Sequence, residues 1–126
     1  IEEDGEARFR ELESLALRDA LERGDDGAHV IALGGGTWTI SHNRALIEEH
    51  KALTVWLDAP FELCWQRIMK ENGSRPLAPD FERALRLYDE RRDVYDQAQL
   101  RVEVDEERSA DAIAAEIASA LARRLE

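Results

Sequence analysis

Residues 28–38 read AHVIALGGGTW, a short apolar run that ends in three consecutive glycines. An uninterrupted apolar run such as VIAL at 30–33 is typical of a strand buried on both faces of a sheet. Glycine has no Cβ, so it lets another group come close to the backbone. One glycine would be enough for a tight turn between a strand and a helix. Three in succession favour contact with a ligand, with the tight turn as the alternative.

The rest of the chain alternates helical and extended patterns. A turn is predicted at GDDG (24–27) and a polar loop at 70–80, which contains two of the three prolines. Helices are predicted at 7–23, 60–69 and 81–97. A further helix would begin at Ser41 or Asn43 as its cap and end at about 50, and the last helix would follow Ser109 as its cap. Strands are predicted at 30–33, 54–57 and 101–105. Apolar strands separated by helices predict a three-layer α/β/α fold with a parallel sheet. Ligands of such sheets bind beyond the carboxyl ends of the strands, where the glycines would lie.

Charge and cysteine content narrow the class of protein. The chain of 126 residues has 17 basic and 28 acidic side chains, a net charge of −11. This acidity argues against a nucleic acid or an anionic membrane held by bulk charge. Cys64 is the only cysteine, so no intrachain disulfide can form, and a cytoplasmic protein fits this composition best. The three histidines lack metal-ligand spacing, so no metal site is predicted.

Arginine dominates the basic residues, because only Lys51 and Lys70 are lysines. Arginine makes two-point contacts with carboxylates and phosphates. The two common nucleotide-binding signatures are absent. The spacing GxGxxG fails at Thr39, and neither lysine follows a glycine as a phosphate loop requires.

Several stretches, in order along the chain, resemble the motifs of shikimate kinases. They are DGEARFRELE at 4–13 (GE..FR..E), LGGG at 33–36, VWLD at 55–58, RPL at 75–77, RRDVYDQA at 91–98 (R..lY...A) and the last strand at 102–105. Together they cover essentially the whole chain. The resemblance implies a P-loop kinase fold and the transfer of phosphate from ATP, with Mg²⁺, to shikimate.

The resemblance also implies roles for single residues. Arg10 and Arg91 would hold the carboxylate of shikimate, and the backbone of Gly34, Gly35 and Gly36 would contact the same substrate.

Two further arginines would act on the nucleotide. Arg75, in a lid at about 70–80, would fold over the ATP phosphates and stabilise the phosphoryl group during transfer. Arg67 would lie against the adenine.

Each assignment has a simpler alternative. Arg10 and Glu13 would form an ordinary pair on a helix surface, worth about 0.2–0.5 kcal/mol. Arg91 and Tyr95, one turn apart, would form a solvated helix face. Arg75 would be a loop residue without a special role.

The sequence departs from the family in one major respect. The family's first strand, its phosphate loop, its Mg²⁺ ligand and its catalytic aspartate have no counterpart in the 126 residues. We therefore expect the chain to be the C-terminal portion of one kinase domain, with the missing block elsewhere in the protein. The alternatives are a kinase-derived binding module without catalysis, and a kinase for another hydroxy acid such as gluconate. The oligomeric state is not predicted.

Overall fold

The computed structural model describes residues 3–23, 29–72 and 78–124. The chain divides into two compact units, Ile1–Ala52 and Leu53–Glu126. The predicted turn at 24–27 and residues 73–77 of the predicted lid, including Arg75, lie outside the described residues. No helix within the described ranges is long and apolar enough to cross a membrane.

The first unit is helical. Helix α1 spans Glu3–Glu22, a short 3₁₀ turn spans Thr37–Thr39, and helix α2 spans Ser41–Glu49. The two helices confirm the predictions for these segments. The core of this unit consists of Leu17, Leu46 and Ile47, packed against Leu21, Trp38 and Ala52. Thus the C-terminal half of α1 packs against α2 and the 3₁₀ turn, whereas Phe9, Leu12 and Leu15 of α1 are exposed.

The predicted strand at residues 30–33 is wrong. The segment has no regular secondary structure, and all four of its side chains are exposed, Val30 to 97%. A strand needs a neighbour, because its backbone N–H and C=O groups must find partners outside the segment. Among the described residues, none pairs with this run. The run is apolar, as its sequence shows, but it is not buried.

The second unit contains a parallel pair of strands. Strand β1 spans Val55–Asp58 and strand β2 spans Leu100–Glu103, with Val55 opposite Leu100 and Asp58 opposite Glu103. The ladder continues past both ends through hydrogen bonds from Leu100 N to Thr54 O and from Val104 N to Asp58 O. The predicted strands at 54–57 and 101–105 are confirmed to within two residues.

Three helices complete this unit. Helix α3 spans Phe61–Asn72, α4 spans Ala78–Tyr95 and α5 spans Ala110–Arg124. The predicted helices are confirmed, but α3 runs three residues further than predicted and α4 begins three residues earlier, so helix occupies both ends of the polar loop predicted at 70–80. Four rings pack edge-on or stacked between α3 and α4, with centroids 5.2–6.1 Å apart, namely Phe61, Trp65, Phe81 and Tyr88.

A side-chain cap was predicted at the start of α2 and of α5, and only the cap of α5 is present. Ser109 caps α5 as predicted, since its Oγ accepts a hydrogen bond of 3.1 Å from the N–H of Ala112. The start of α2 differs from its prediction. Ile40 holds the cap position, without a side-chain hydrogen bond, and Ser41 is the first helical residue. Asn43 lies inside the helix and bonds elsewhere.

Candidate functional site

The three glycines form a hydrogen-bonded turn that leads into the 3₁₀ segment. The N–H of Thr37 donates to the carbonyl of Gly34 at 3.1 Å. The carbonyl of Gly36 accepts from the N–H of Thr39 at 3.1 Å and from its hydroxyl at 2.6 Å. Gly36 has φ −88° and ψ −21°, an ordinary right-handed conformation. A left-handed backbone is therefore not the reason for glycine at this position.

A side chain at position 34 would meet close neighbours. A Cβ atom there would lie 3.3 Å from Oε2 of Glu13 and 3.5 Å from Oγ1 of Thr37. Glu13 belongs to α1, so this helix reaches the turn through the end of a side chain. The absence of a side chain at Gly34 leaves room for that approach.

A buried amide joins the same two elements. Asn43, at 0% exposure, accepts a hydrogen bond from the hydroxyl of Ser14 on α1 at 2.8 Å. Its Nδ2 donates to the carbonyl of Thr37 at 3.0 Å. Beside it, Arg44 donates to the carbonyl of Trp38 at 2.8 Å. The N-terminal turn of α2 therefore holds the 3₁₀ segment that follows the glycines, through the main-chain carbonyls of Thr37 and Trp38.

Arg10 lies exposed on α1. Its guanidinium forms a 2.8 Å ion pair with Glu6, one turn earlier, and both side chains are more than half exposed. The simpler alternative named Glu13 as the partner, and Glu6 takes that place. An exposed pair at this spacing contributes only about 0.2–0.5 kcal/mol. Arg10 can therefore exchange this partner for another carboxylate at small cost.

Arg91 lies half-buried on α4. It borders a groove of about 270 Å³ that is walled mainly by apolar side chains, among them Trp56, Leu57, Ile68 and Leu87. A guanidinium at the side of an apolar groove is suited to hold an anion at one defined position. Arg91 belongs to the second unit, whereas Arg10 and the glycines belong to the first.

The end of β1 carries an ion-pair network that the sequence did not predict. Arg92 contacts Asp58 at two points, with Nη1 to Oδ1 at 2.6 Å and Nη2 to Oδ2 at 3.3 Å. Arg101 reaches the same carboxylate from β2, with Nε 2.8 Å and Nη2 2.6 Å from Oδ2. Arg92 also donates to the hydroxyl of Tyr88 at 2.9 Å. The network thus joins β1, β2 and α4.

Aromatic faces support the two arginines. The guanidinium carbon of Arg92 lies 4.9 Å from the ring centroid of Trp56 and 5.4 Å from that of Tyr88. Arg101 lies 5.5 Å from the centroid of Trp56. A cation over a ring face gains electrostatic attraction, so the arginines remain favourable although they are partly withdrawn from water.

The charge state of Asp58 follows from this arrangement. Its burial would by itself raise the pKa of the carboxyl group, and this is the largest single influence. The hydrogen bonds and positive charges of Arg92 and Arg101 together outweigh it, so the pKa lies below its usual value. The hydrogen bond to Asp58 in turn raises the pKa of Arg92. Asp58 is therefore an anion at neutral pH, held by two guanidinium groups.

The remaining predicted nucleotide contacts are only partly placed. Arg67 lies exposed on α3, and Arg75 is outside the described residues. Within the described part of the chain, no group of three or more His, Cys, Asp and Glu residues could hold a metal ion.

Sequence reasoning missed Asp58, Arg92, Arg101 and Asn43. A usable signal existed for Asp58, since a carboxylate directly after a buried strand requires a cationic partner. Arg101 stands at the start of the neighbouring strand, opposite Trp56. Asn43 carried no such signal, because an asparagine near a helix start is read first as a cap.

Comparison with known proteins supports the fold class. The family model for shikimate kinase matches residues 1–122. The shikimate kinase of Synechococcus sp. (strain JA-3-3Ab) is 41% identical over 126 residues, covering 98% of this chain and 64% of that protein. The shikimate kinase of Ruegeria pomeroyi is 38% identical, covering 98% of this chain and 63% of that protein. The shikimate kinase of Brucella canis is 35% identical, covering 97% of this chain and 60% of that protein. No solved structure matches the chain.

These matches and the parallel strand pair confirm an α/β fold of P-loop kinase type. The chain belongs to the shikimate kinase family. It spans less than two thirds of the length of these curated relatives. The matches do not favour a gluconate kinase or a kinase-derived binding module.

Proposed function

We propose that the full-length protein transfers the γ-phosphoryl group of ATP to shikimate, giving shikimate 3-phosphate, with Mg²⁺ bound to the nucleotide. The observation that carries this proposal is the match of the shikimate kinase model to residues 1–122. The 126 residues would be the C-terminal portion of a single kinase domain. The phosphate loop and the magnesium ligands would lie elsewhere in the protein, so no step is assigned to them.

Arg10 and Arg91 would bind the carboxylate of shikimate. A guanidinium contacts a carboxylate at two points, which fixes the orientation of the substrate ring as well as its position. Arg10 supports this role because its present ion pair with Glu6 is exposed and weak. Arg91 supports it because it is half-buried beside an apolar groove. The backbone of Gly34, Gly35 and Gly36 would contact the same substrate.

Arg75 would neutralise charge on the phosphoryl group during transfer, and Arg67 would lie against the adenine. Phosphoryl transfer depends mainly on positioning and on stabilising the charge of the transferring group. A loop that carries an arginine and closes over the phosphates would do both and would exclude water. The cytoplasm remains the proposed compartment, on composition alone.

The direct test is ADP release by the full-length protein with shikimate present or absent. We expect release that depends on shikimate and on Mg²⁺, and no release above background with gluconate. ADP release that depends on gluconate and not on shikimate would identify gluconate as the substrate in place of shikimate. No release with either hydroxy acid, from a folded protein that binds ATP, would contradict the kinase proposal.

Two variants test the substrate contacts. Arg10→Ala and Arg91→Ala should each weaken shikimate binding at least about tenfold, since a lost charge-assisted contact to a carboxylate costs about 1.4 kcal/mol or more. Arg8→Ala is the matched control for Arg10, because Arg8 is equally exposed on α1 and pairs with Glu11. Arg86→Ala, exposed on α4, is the control for Arg91. Unchanged shikimate binding in both test variants would remove the assignment.

A further inference from the structure

Asn43 is a polar side chain at 0% exposure in the first unit. Such burial is favourable only when the amide makes hydrogen bonds at both ends. Both are present, with Oδ1 accepting from Ser14 at 2.8 Å and Nδ2 donating to the carbonyl of Thr37 at 3.0 Å. A planar amide bonded at both ends leaves its two partners little freedom to move relative to each other.

The two partners belong to the elements that carry the proposed substrate contacts. Ser14 lies on α1, one helical turn after Arg10, so the two residues share a face of that helix. Thr37 follows Gly36 directly, and its own N–H bonds to the carbonyl of Gly34. The amide of Asn43 therefore connects the helix of Arg10 to the glycine turn through two hydrogen bonds.

Helix α1 reaches the glycine turn through the side chain of Glu13, whose Oε2 lies 3.3 Å from the position that a Cβ of Gly34 would take. A small shift of α1 would change the separation between Arg10 and the glycine turn. Substrate binding depends on geometry at the scale of an ångström, so such a shift would be felt by a ligand held between the arginine and the turn.

We propose that Asn43 is a positioning residue for shikimate: it fixes the separation between Arg10 and the Gly34–Gly36 turn so that both contact one substrate molecule. It acts through Ser14 and Thr37 and does not touch the substrate. This inference rests on the proposed function. It identifies a residue behind the substrate site that the sequence motifs did not indicate.

Two variants of the full-length protein separate the two hydrogen bonds. Ser14→Ala removes the donor to Oδ1 and keeps the bond from Asn43 to Thr37. Asn43→Asp keeps the size and the acceptor for Ser14, but it places a carboxylate oxygen against the carbonyl of Thr37. Ser41→Ala is the matched control, because Ser41 is exposed on the same helix two residues earlier.

The readout is the KM for shikimate and the KM for ATP, measured by ADP release. We expect the KM for shikimate to rise about threefold in Ser14→Ala and about tenfold or more in Asn43→Asp, with the KM for ATP within about twofold of wild type. Ser41→Ala should leave both constants unchanged. Ser14→Ala is a small change at a half-buried site, so it keeps the test decisive if Asn43→Asp fails to fold.

Three results would overturn the inference. Unchanged KM values in folded Ser14→Ala would mean that the amide serves stability alone. An equal rise of both KM values would mean general loosening instead of positioning. Absence of shikimate-dependent ADP release from the wild-type protein would remove the proposed function and this inference together. That last failure appears in wild type, whereas the first two appear only in the variants.

Discussion

Arg92 holds Asp58 through two parallel contacts of 2.6 and 3.3 Å, although 34 residues separate them along the chain. The carboxylate is almost completely buried, at 8% exposure. It ends β1, and Arg92 lies one turn before the end of α4. This pair fixes the last turn of α4 against the sheet. Since Arg91 is the adjacent residue, the same contact positions the stretch of α4 backbone from which its side chain extends.

Removal of the Asp58 carboxylate should destabilise the second unit. Asp58→Ala deletes the acceptor of Arg92 and Arg101, and we expect a loss of about 1–3 kcal/mol in the free energy of unfolding. Both arginines are partly exposed, so water can take the place of the carboxylate as a hydrogen-bond partner and reduce the loss of stability. Urea unfolding of the full-length protein measures the change.

Glu103→Ala is the control for this measurement. Glu103 is also acidic and also near Arg101, but it is 78% exposed and lies 3.4 Å away. We expect its effect to stay within about 0.5 kcal/mol. Equal effects of the two variants would mean that the buried network adds nothing beyond a surface pair.

The contribution of Asp58 should depend on pH in a defined direction. Its pKa is lowered in the folded protein, so the unfolded chain takes up the proton first as the pH falls. The stabilisation is complete above the unfolded pKa of about 3.9 and is lost as the pH falls through the folded value. The difference in unfolding free energy between wild type and Asp58→Asn should be constant from about pH 7 to 5 and shrink below about pH 4. A difference that grew on acidification would contradict the pKa direction.

The cap of α5 provides a local stability test. Ser109→Ala removes the acceptor for the N–H of Ala112 and should cost about 1 kcal/mol, measured by thermal unfolding. Ser119→Ala is the same exchange at an exposed position inside α5. Alanine is the better helix former, so this control should be neutral or slightly stabilising. A loss of the same size at both positions would rule out the cap as the cause.

The contact between Gly34 and Glu13 predicts coupling between two variants. Gly34→Ala introduces a Cβ at 3.3 Å from the Glu13 carboxylate. Glu13→Ala removes that neighbour and leaves room for the Cβ. We expect Gly34→Ala to be less favourable in the wild-type background than in the Glu13→Ala background, by roughly 0.5–1 kcal/mol in a double-mutant cycle of unfolding free energies. Additive effects would show that the two residues do not touch.

Helices were the most predictable part of this chain. The apolar spacing in α1 and α5 and the serine before α5 indicate those helices without reference to any partner. The strands at 54–57 and 101–105 were also recognisable, and they are paired with each other. The run at 30–33 carries an equally strong apolar signal, yet it is exposed. The apolar pattern of a segment shows that the segment could be buried as a strand. Whether it is buried depends on whether a neighbouring strand pairs with it.

Part of the candidate site could be predicted from the sequence, and part could not. Arg10, Arg91 and the glycines were indicated by motif order, which depends on the sequence alone. The roles of Asp58 and Arg92 were not, because their contact joins positions 34 residues apart. Asn43 was one of two candidate caps of α2, with Ser41 as the other, and it bonds Ser14 and Thr37 instead. When a side chain has several possible hydrogen-bond partners, only the packing of the folded chain determines which of them it contacts.

Local periodicity and motif spacing were sufficient for the family, the helix positions, the parallel strand class and the set of candidate arginines, because that information is carried by residues close together in the chain. The partners of the buried polar groups emerged only from the folded molecule. A buried carboxylate or amide must be satisfied by whatever lies within about 3 Å. Those neighbours come from distant parts of the chain, so packing, and not sequence spacing, selected Arg92 and Arg101 for Asp58 and Ser14 for Asn43.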